Sequence, residues 1–97
     1  VTLVDFWAPW CSPCLMQAPI LEKLAQQFDG RAQVGKINVD SNPSTAASFN
    51  VRGIPTLILF RDGQEMERLV GVQTEGKLTD AIKRYLASQA KDTFIQL

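Results

Sequence analysis

The run "VTLVDFW" at residues 1–7 restricts the fold more than any other stretch of the chain. It is β-branched and aromatic, too apolar for a strand with one wet face, and so reads as a central strand buried on both faces. After a turn at Pro9, the residues Met16, Ile20, Leu21, Leu24 and Phe28 recur at helical spacing. They predict a helix from about Cys11 to Phe28, ended by Asp29 and Gly30. "QVGKINV" (33–39) predicts a second strand, and "NPSTAASF" (42–49) a short helix with Asn42 as its cap and Pro43 at its first position. "PTLILF" (55–60) and "MERLVGV" (66–72) predict strands joined by a hairpin at Asp62 and Gly63. Thr74 caps a last helix, whose apolar stripe is Leu78, Ala81, Ile82, Tyr85 and Leu86. The order strand–helix–strand–helix–strand–strand–helix predicts a single α/β domain over residues 1–97. Its first two strands are parallel through a right-handed crossover, and the hairpin adds an antiparallel edge.

Composition matters for what the two cysteines can be. The 97 residues, 45% hydrophobic and 21% charged, suffice for a hydrophobic core without staples. Ten basic residues balance ten acidic ones, so no net field favours nucleic acid or a membrane surface. No apolar run approaches the ~20 residues of a membrane span. Histidine is absent, and Cys11 and Cys14 cannot supply four zinc ligands from one copy of the chain. A metal or iron–sulfur centre shared between protomers is the remaining metal alternative. As a staple, so short a ring is worth roughly 2 kcal/mol. A bridge that constrains little is better explained by reactivity.

Cys11 falls where a buried strand gives way to a helix. Unpaired backbone N–H groups and the positive end of the helix dipole there favour a thiolate. Cys14, one turn further in, is close enough to bridge and more shielded. Cys11 is therefore the expected attacking sulfur and Cys14 the resolving one, the alternative being two buried thiols that never meet. Pro13 fixes the turn between them, and the Ser12 hydroxyl can donate a hydrogen bond to the thiolate. Asp5 is a carboxylate inside an apolar strand, on the side that carries Trp7. Buried beneath the cysteines it has a raised pKa and takes the proton of Cys14; twisted to solvent it does nothing of the kind. Lys36, on the neighbouring strand, is either its countercharge or an ordinary solvated lysine. Pro55 opens a strand directly after Gly53 and Ile54, in a cis or a trans bond that local sequence does not separate.

In this order and at this spacing, "VDFWAPWCSPC", "NVDSNPSTAASFNVRGIPTLILFRDG" and the later Val70–Gly71 resemble the thioredoxin family, from Val1 to about Ser88. The resemblance implies a thioredoxin-like α/β fold: a central mixed sheet with parallel strands plus an antiparallel hairpin, flanked by helices on both faces. Here it is shortened at its start, without the family's usual first strand and helix. It also implies that Cys11 is the exposed nucleophile, Cys14 the resolving cysteine and Asp5 the proton relay with Lys36 nearby. Pro55 matches the family's cis-proline, and the preceding Ile54 lies beside the disulfide and pairs its backbone with substrate. Trp10, Ser12, Pro13, Gly53, Ile54, Gly71 and Val72, with Pro55, are the implied substrate-binding surface, which takes extended segments largely through backbone pairing.

The implied activity is protein-disulfide reduction by dithiol–disulfide exchange in the cytoplasm. It uses no metal and no cofactor beyond the Cys11–Cys14 disulfide. The implied partners are disulfide-containing proteins and an upstream reductase, thioredoxin reductase or an equivalent. Without a histidine between the cysteines, the expected potential lies nearer the ~−270 mV reference value of thioredoxin than the ~−120 mV of a strong oxidant. Two rival readings stand beside it: an oxidase or isomerase in an oxidising compartment, and a binding module or co-chaperone with dispensable thiols. Ser12 stands where the family has glycine, which shifts the redox poise. Leu15 stands where lysine is common, which removes a positive charge and enlarges the apolar rim. The tail "KDTFIQL" (91–97) is extra and alternates like a strand. It is expected to cover the edge beside 33–39, in its own chain or in a neighbour's, giving a monomer or a tail-swapped dimer.

Overall fold

The elements are β1 (Thr2–Trp7), α1 (Ser12–Gln27), β2 (Gln33–Asn38), α2 (Pro43–Ser48), β3 (Thr56–Arg61), β4 (Gln64–Val70) and α3 (Glu75–Gln96). They come from a computed structural model that describes the backbone of residues 1–96 and the side chains of residues 1–87. The strands lie in the order β2-β1-β3-β4. β1 runs parallel to β2 and antiparallel to β3, and β4 is antiparallel to β3. The apolar run at the start of the chain therefore occupies an interior position, with neighbours on both edges.

Strand alternation divides the core in two. Leu3 of β1 and Leu57 and Leu59 of β3 face Leu21, Leu24 and Phe28 at α1 and Leu78, Ala81 and Ile82 of α3. Phe6 and Ile58, on the opposite face, pack with Ala46 of α2 and are joined there by Val4, Ile37, Phe49 and Phe60. Phe49 links the aromatic residues of that second layer, with ring centroids 5.8 Å from Phe6 and 5.5 Å from Phe60. Helices thus cover both faces, because β1 and β3 are apolar on both.

Local chemistry explains most of the boundaries. Asp62 (φ 53°) and Gly63 (φ 79°) both adopt the left-handed conformation that a tight two-residue hairpin turn requires. The Thr74 hydroxyl accepts from Lys77 N at 3.2 Å and caps α3. Asn42 does not cap α2 through its side chain. Its Nδ2 instead donates to Asn38 O at 3.0 Å, tying the helix start back to the end of β2. β4 begins earlier than 66 and ends at Val70, so Gly71 and Val72 belong to the connection into α3.

The expected strand over 91–97 is corrected: α3 continues as helix through Gln96. The chain from Tyr85 onwards contains no glycine or proline to stop the helix before the tail. Leu97, and the side chains beyond Ala87, lie outside the described residues. A tail-swapped dimer built on that strand loses its basis.

One end of the sheet collects the functional segments. Thr56 is in register with Phe6 on β1 and with Val70 on β4. The loop after β1, the segment before β3 and the segment after β4 therefore leave the sheet side by side.

Candidate active site

β1 ends at Trp7, and the chain turns through Ala8–Trp10 with Cys11 N donating to Ala8 O at 3.2 Å. Cys11 is the N-cap of α1 and not a helical residue: its φ and ψ are extended, and its Sγ accepts from Cys14 N at 3.2 Å. Pro13 occupies the first turn, where its missing N–H is no loss. Cys11 and Cys14 form a disulfide, with a Cα–Cα distance of 5.2 Å. Their sulfurs sit among Ala8, Trp7, Val39 and Ile54. That packing leaves Cys11 only 5% exposed, against 1% for Cys14. The order of shielding is the expected one, but Cys11, expected to be exposed, is itself buried in the disulfide. Ser12 is exposed, and the donor at Cys11 Sγ is the Cys14 amide rather than the Ser12 hydroxyl.

Across the site, Ile54–Pro55 is a cis peptide. Ile54 O lies 3.9 Å from Cys11 Sγ, which as a disulfide sulfur carries no proton to donate. Pro55 is buried, and its carbonyl accepts from Gly71 N at 2.8 Å. The Thr56 hydroxyl donates to Gly53 O and closes the segment on itself. Gly71 has φ 91°, the left-handed region that favours glycine. Gly53 and Val72 are exposed and flank this seam.

Asp5, two residues before Trp7 on β1, is 2% exposed and in register with Lys36 on β2. Burial pushes its carboxyl up to about 6, against a smaller opposing pull from Lys36. Its Oδ1 has no hydrogen-bond partner among the described residues. Lys36 is exposed, with its Nζ 4.4 Å from the centroid of the Trp7 ring, so it is as much a partner of the indole as of Asp5.

Sequence reasoning missed Asp40 as the partner of Trp10, and it misplaced Met16. Trp10, 69% exposed, donates its indole N–H to Asp40 Oδ2 at 2.8 Å, and nothing in the residues around Asp40 announces that bond. Met16, read as part of the helix's buried stripe, is 66% exposed; Cys14, Gln17, Leu21 and Leu24 are buried instead. With Leu15, Val70 and Val72, Met16 and Trp10 are the large apolar side chains left exposed among the described residues.

Comparison with known proteins agrees with this geometry. The family model "Thioredoxin" matches residues 1–84. A thioredoxin of Staphylococcus saprophyticus is 54% identical over 86 residues, covering 89% of this chain and 83% of that protein. One from Staphylococcus haemolyticus is 52% identical over the same length. The solved structure of a mutant thioredoxin from Halobacterium salinarum superposes with a TM-score of 0.82 at 47% identity, covering 88% of this chain and 74% of that one. Such agreement across both chains means that this chain belongs to the thioredoxin family and is a protein thiol–disulfide oxidoreductase, with Cys11 and Cys14 as its redox pair.

Proposed function

We propose that the Cys11 thiolate attacks one sulfur of a substrate protein's disulfide and forms a mixed disulfide, the other substrate sulfur leaving as a thiolate. Cys14 gives up its proton, received by Asp5, and attacks Cys11 Sγ. The second substrate sulfur departs, and the Cys11–Cys14 bond closes. The protein has then delivered two electrons, and an upstream reductase of the thioredoxin reductase type restores them. The observation that carries this division of labour is the Cys14 N–H aimed at Cys11 Sγ at 3.2 Å, at the positive end of α1. A thiolate at Cys11 inherits that donor and the helix field; Cys14 has no equivalent. A carboxyl whose pKa is about 6 is mostly ionised at neutral pH, yet holds a proton readily enough to act as a base.

Substrates dock as extended segments on the surface of Trp10, Gly53, Ile54, Gly71 and Val72, with Ser12 and Pro13 at its rim and Pro55 shaping its floor. Lys36 tunes Asp5 from the neighbouring strand. The setting is cytoplasmic. Two variants test the assignment. Cys14→Ser accumulates a mixed disulfide with an oxidised protein substrate such as insulin, and Cys11→Ser accumulates none. Trapping through Cys14 in the Cys11→Ser variant would reverse the roles.

A further inference from the structure

Gln17 is fully buried, one turn beyond Cys14 on the core-facing stripe of α1, where an amide is costly unless its hydrogen bonds are made. It makes them with the backbone N–H and C=O of one residue 56 positions away. Gln17 Nε2 donates to Gln73 O at 3.1 Å, and Gln73 N donates to Gln17 Oε1 at 2.7 Å. The Gln73 side chain then turns back, donating through Nε2 to Val70 O at 3.3 Å and to Gly71 O at 3.1 Å. Gly71 N in turn donates to Pro55 O. A continuous chain of amide hydrogen bonds therefore runs from the helix that carries Cys14, through the segment Val70–Gln73, to the peptide beside Cys11.

We infer that Gln17 is a positioning residue: its two-point clamp on Gln73 holds the Val70–Val72 segment at a fixed distance from the disulfide and so sets the affinity for protein substrates. The inference rests on the docking surface proposed above. Gln17 touches neither sulfur nor substrate, and an apolar residue of similar size fills the same space. What only the amide supplies is simultaneous satisfaction of an N–H and a C=O in a connection that is neither strand nor helix. The clamp acts on the backbone of Gln73, so it determines where Val72 and Gly71 sit without contributing to the exchange chemistry.

The prediction is a split between docking and chemistry. In single-turnover reduction of insulin by pre-reduced protein, Gln17→Leu raises the half-saturating insulin concentration about tenfold, equivalent to roughly 1.4 kcal/mol of docking free energy. The saturated rate, the Cys11–Cys14 potential and the rate with the small disulfide dithiobis-nitrobenzoate stay at parent values. Gln73→Ala keeps the backbone clamp, loses the return bonds to Val70 and Gly71, and gives a smaller rise in the same direction. Hydrogen exchange in the unaltered protein gives a readout independent of any variant's folding: the Gln73 amide is protected while the Val72 amide exchanges quickly. Unchanged saturation by insulin in Gln17→Leu overturns the inference. So does an equal loss with insulin and the small disulfide, a displaced potential, or a Gln73 amide exchanging as fast as its neighbours. A parent protein that reduces the small disulfide but not insulin would instead refute the docking surface, leaving the exchange result to judge the clamp.

Discussion

Asp5 is the residue whose energetics are most exposed to test. Its carboxyl is raised from 3.8 to about 6 because burial penalises the charged form. The folded protein therefore holds a proton that the unfolded chain has released between those two values. Stability falls as pH rises through that window, and the penalty persists in full above it, at roughly 3 kcal/mol. Asp5→Asn carries no such penalty. Relative to the parent, it should gain roughly that amount of stability between pH 4 and pH 7 while slowing the resolution step. Denaturant melts of both proteins at the two pH values check this; a constant difference would mean that Asp5 is not desolvated. The same residue was legible in the sequence as a carboxylate in an apolar run, and its register with Lys36 followed from parallel pairing. Met16 and Gln17 were not legible. Helical spacing admits either into the core, hydropathy favours methionine, and the backbone groups that satisfy Gln17 lie on a distant segment.

At the level of elements, the site depends on where segments stop. α1 begins at Ser12 because Cys11 is extended and caps it, which places one sulfur outside the helix and one within its first turn. β4 stops at Val70, Gly71 turns through φ 91°, and α3 starts at Glu75. The connection is also tied from below: Glu67 of β4 accepts from Arg84 Nη1 at 2.7 Å and from Tyr85 OH at 2.8 Å on α3. An added Cβ at Gly71 meets no atom within 4 Å, so the cost of Gly71→Ala is conformational alone. It should lower stability by about 1–2 kcal/mol and weaken insulin docking. A melt that matches the parent would show that the turn tolerates alanine. The hairpin and the Thr74 cap were written in local residues. The end of β4 was not, because "MERLVGV" continues in strand-like residues past the point where Gly71 breaks the ladder.

For the whole molecule, the two-sided core and the docking face have different origins. From Leu3 to Trp7, β1 is apolar on both faces apart from Asp5, and that apolar run was readable as a strand buried on both sides; it accounts for the two layers and for the depth at which Asp5 sits. The proposed docking face joins loop ends; its residues followed from the family resemblance, and composition and periodicity alone did not bring them together. The residues proposed for it, Trp10, Gly53, Ile54, Gly71 and Val72, carry no charge, on a chain with no net charge. Association through such a face has little for salt to screen. The rate of insulin reduction at sub-saturating substrate should change less than about twofold between low and high ionic strength. A steep dependence would point to charged groups in the docking step.

The burial of Cys11, only 5% exposed in the disulfide, has a further consequence. Exchange needs the attacking sulfur in line with the disulfide, so a partner must bring its own sulfur close against the side chains packed around Cys11. Bulky folded surfaces that cannot present a sulfur there are kinetically insulated from the pair. The reduced form then acts as an electron store that empties on contact with a suitably shaped partner, and the rate of electron flow is governed by shape before it is governed by potential.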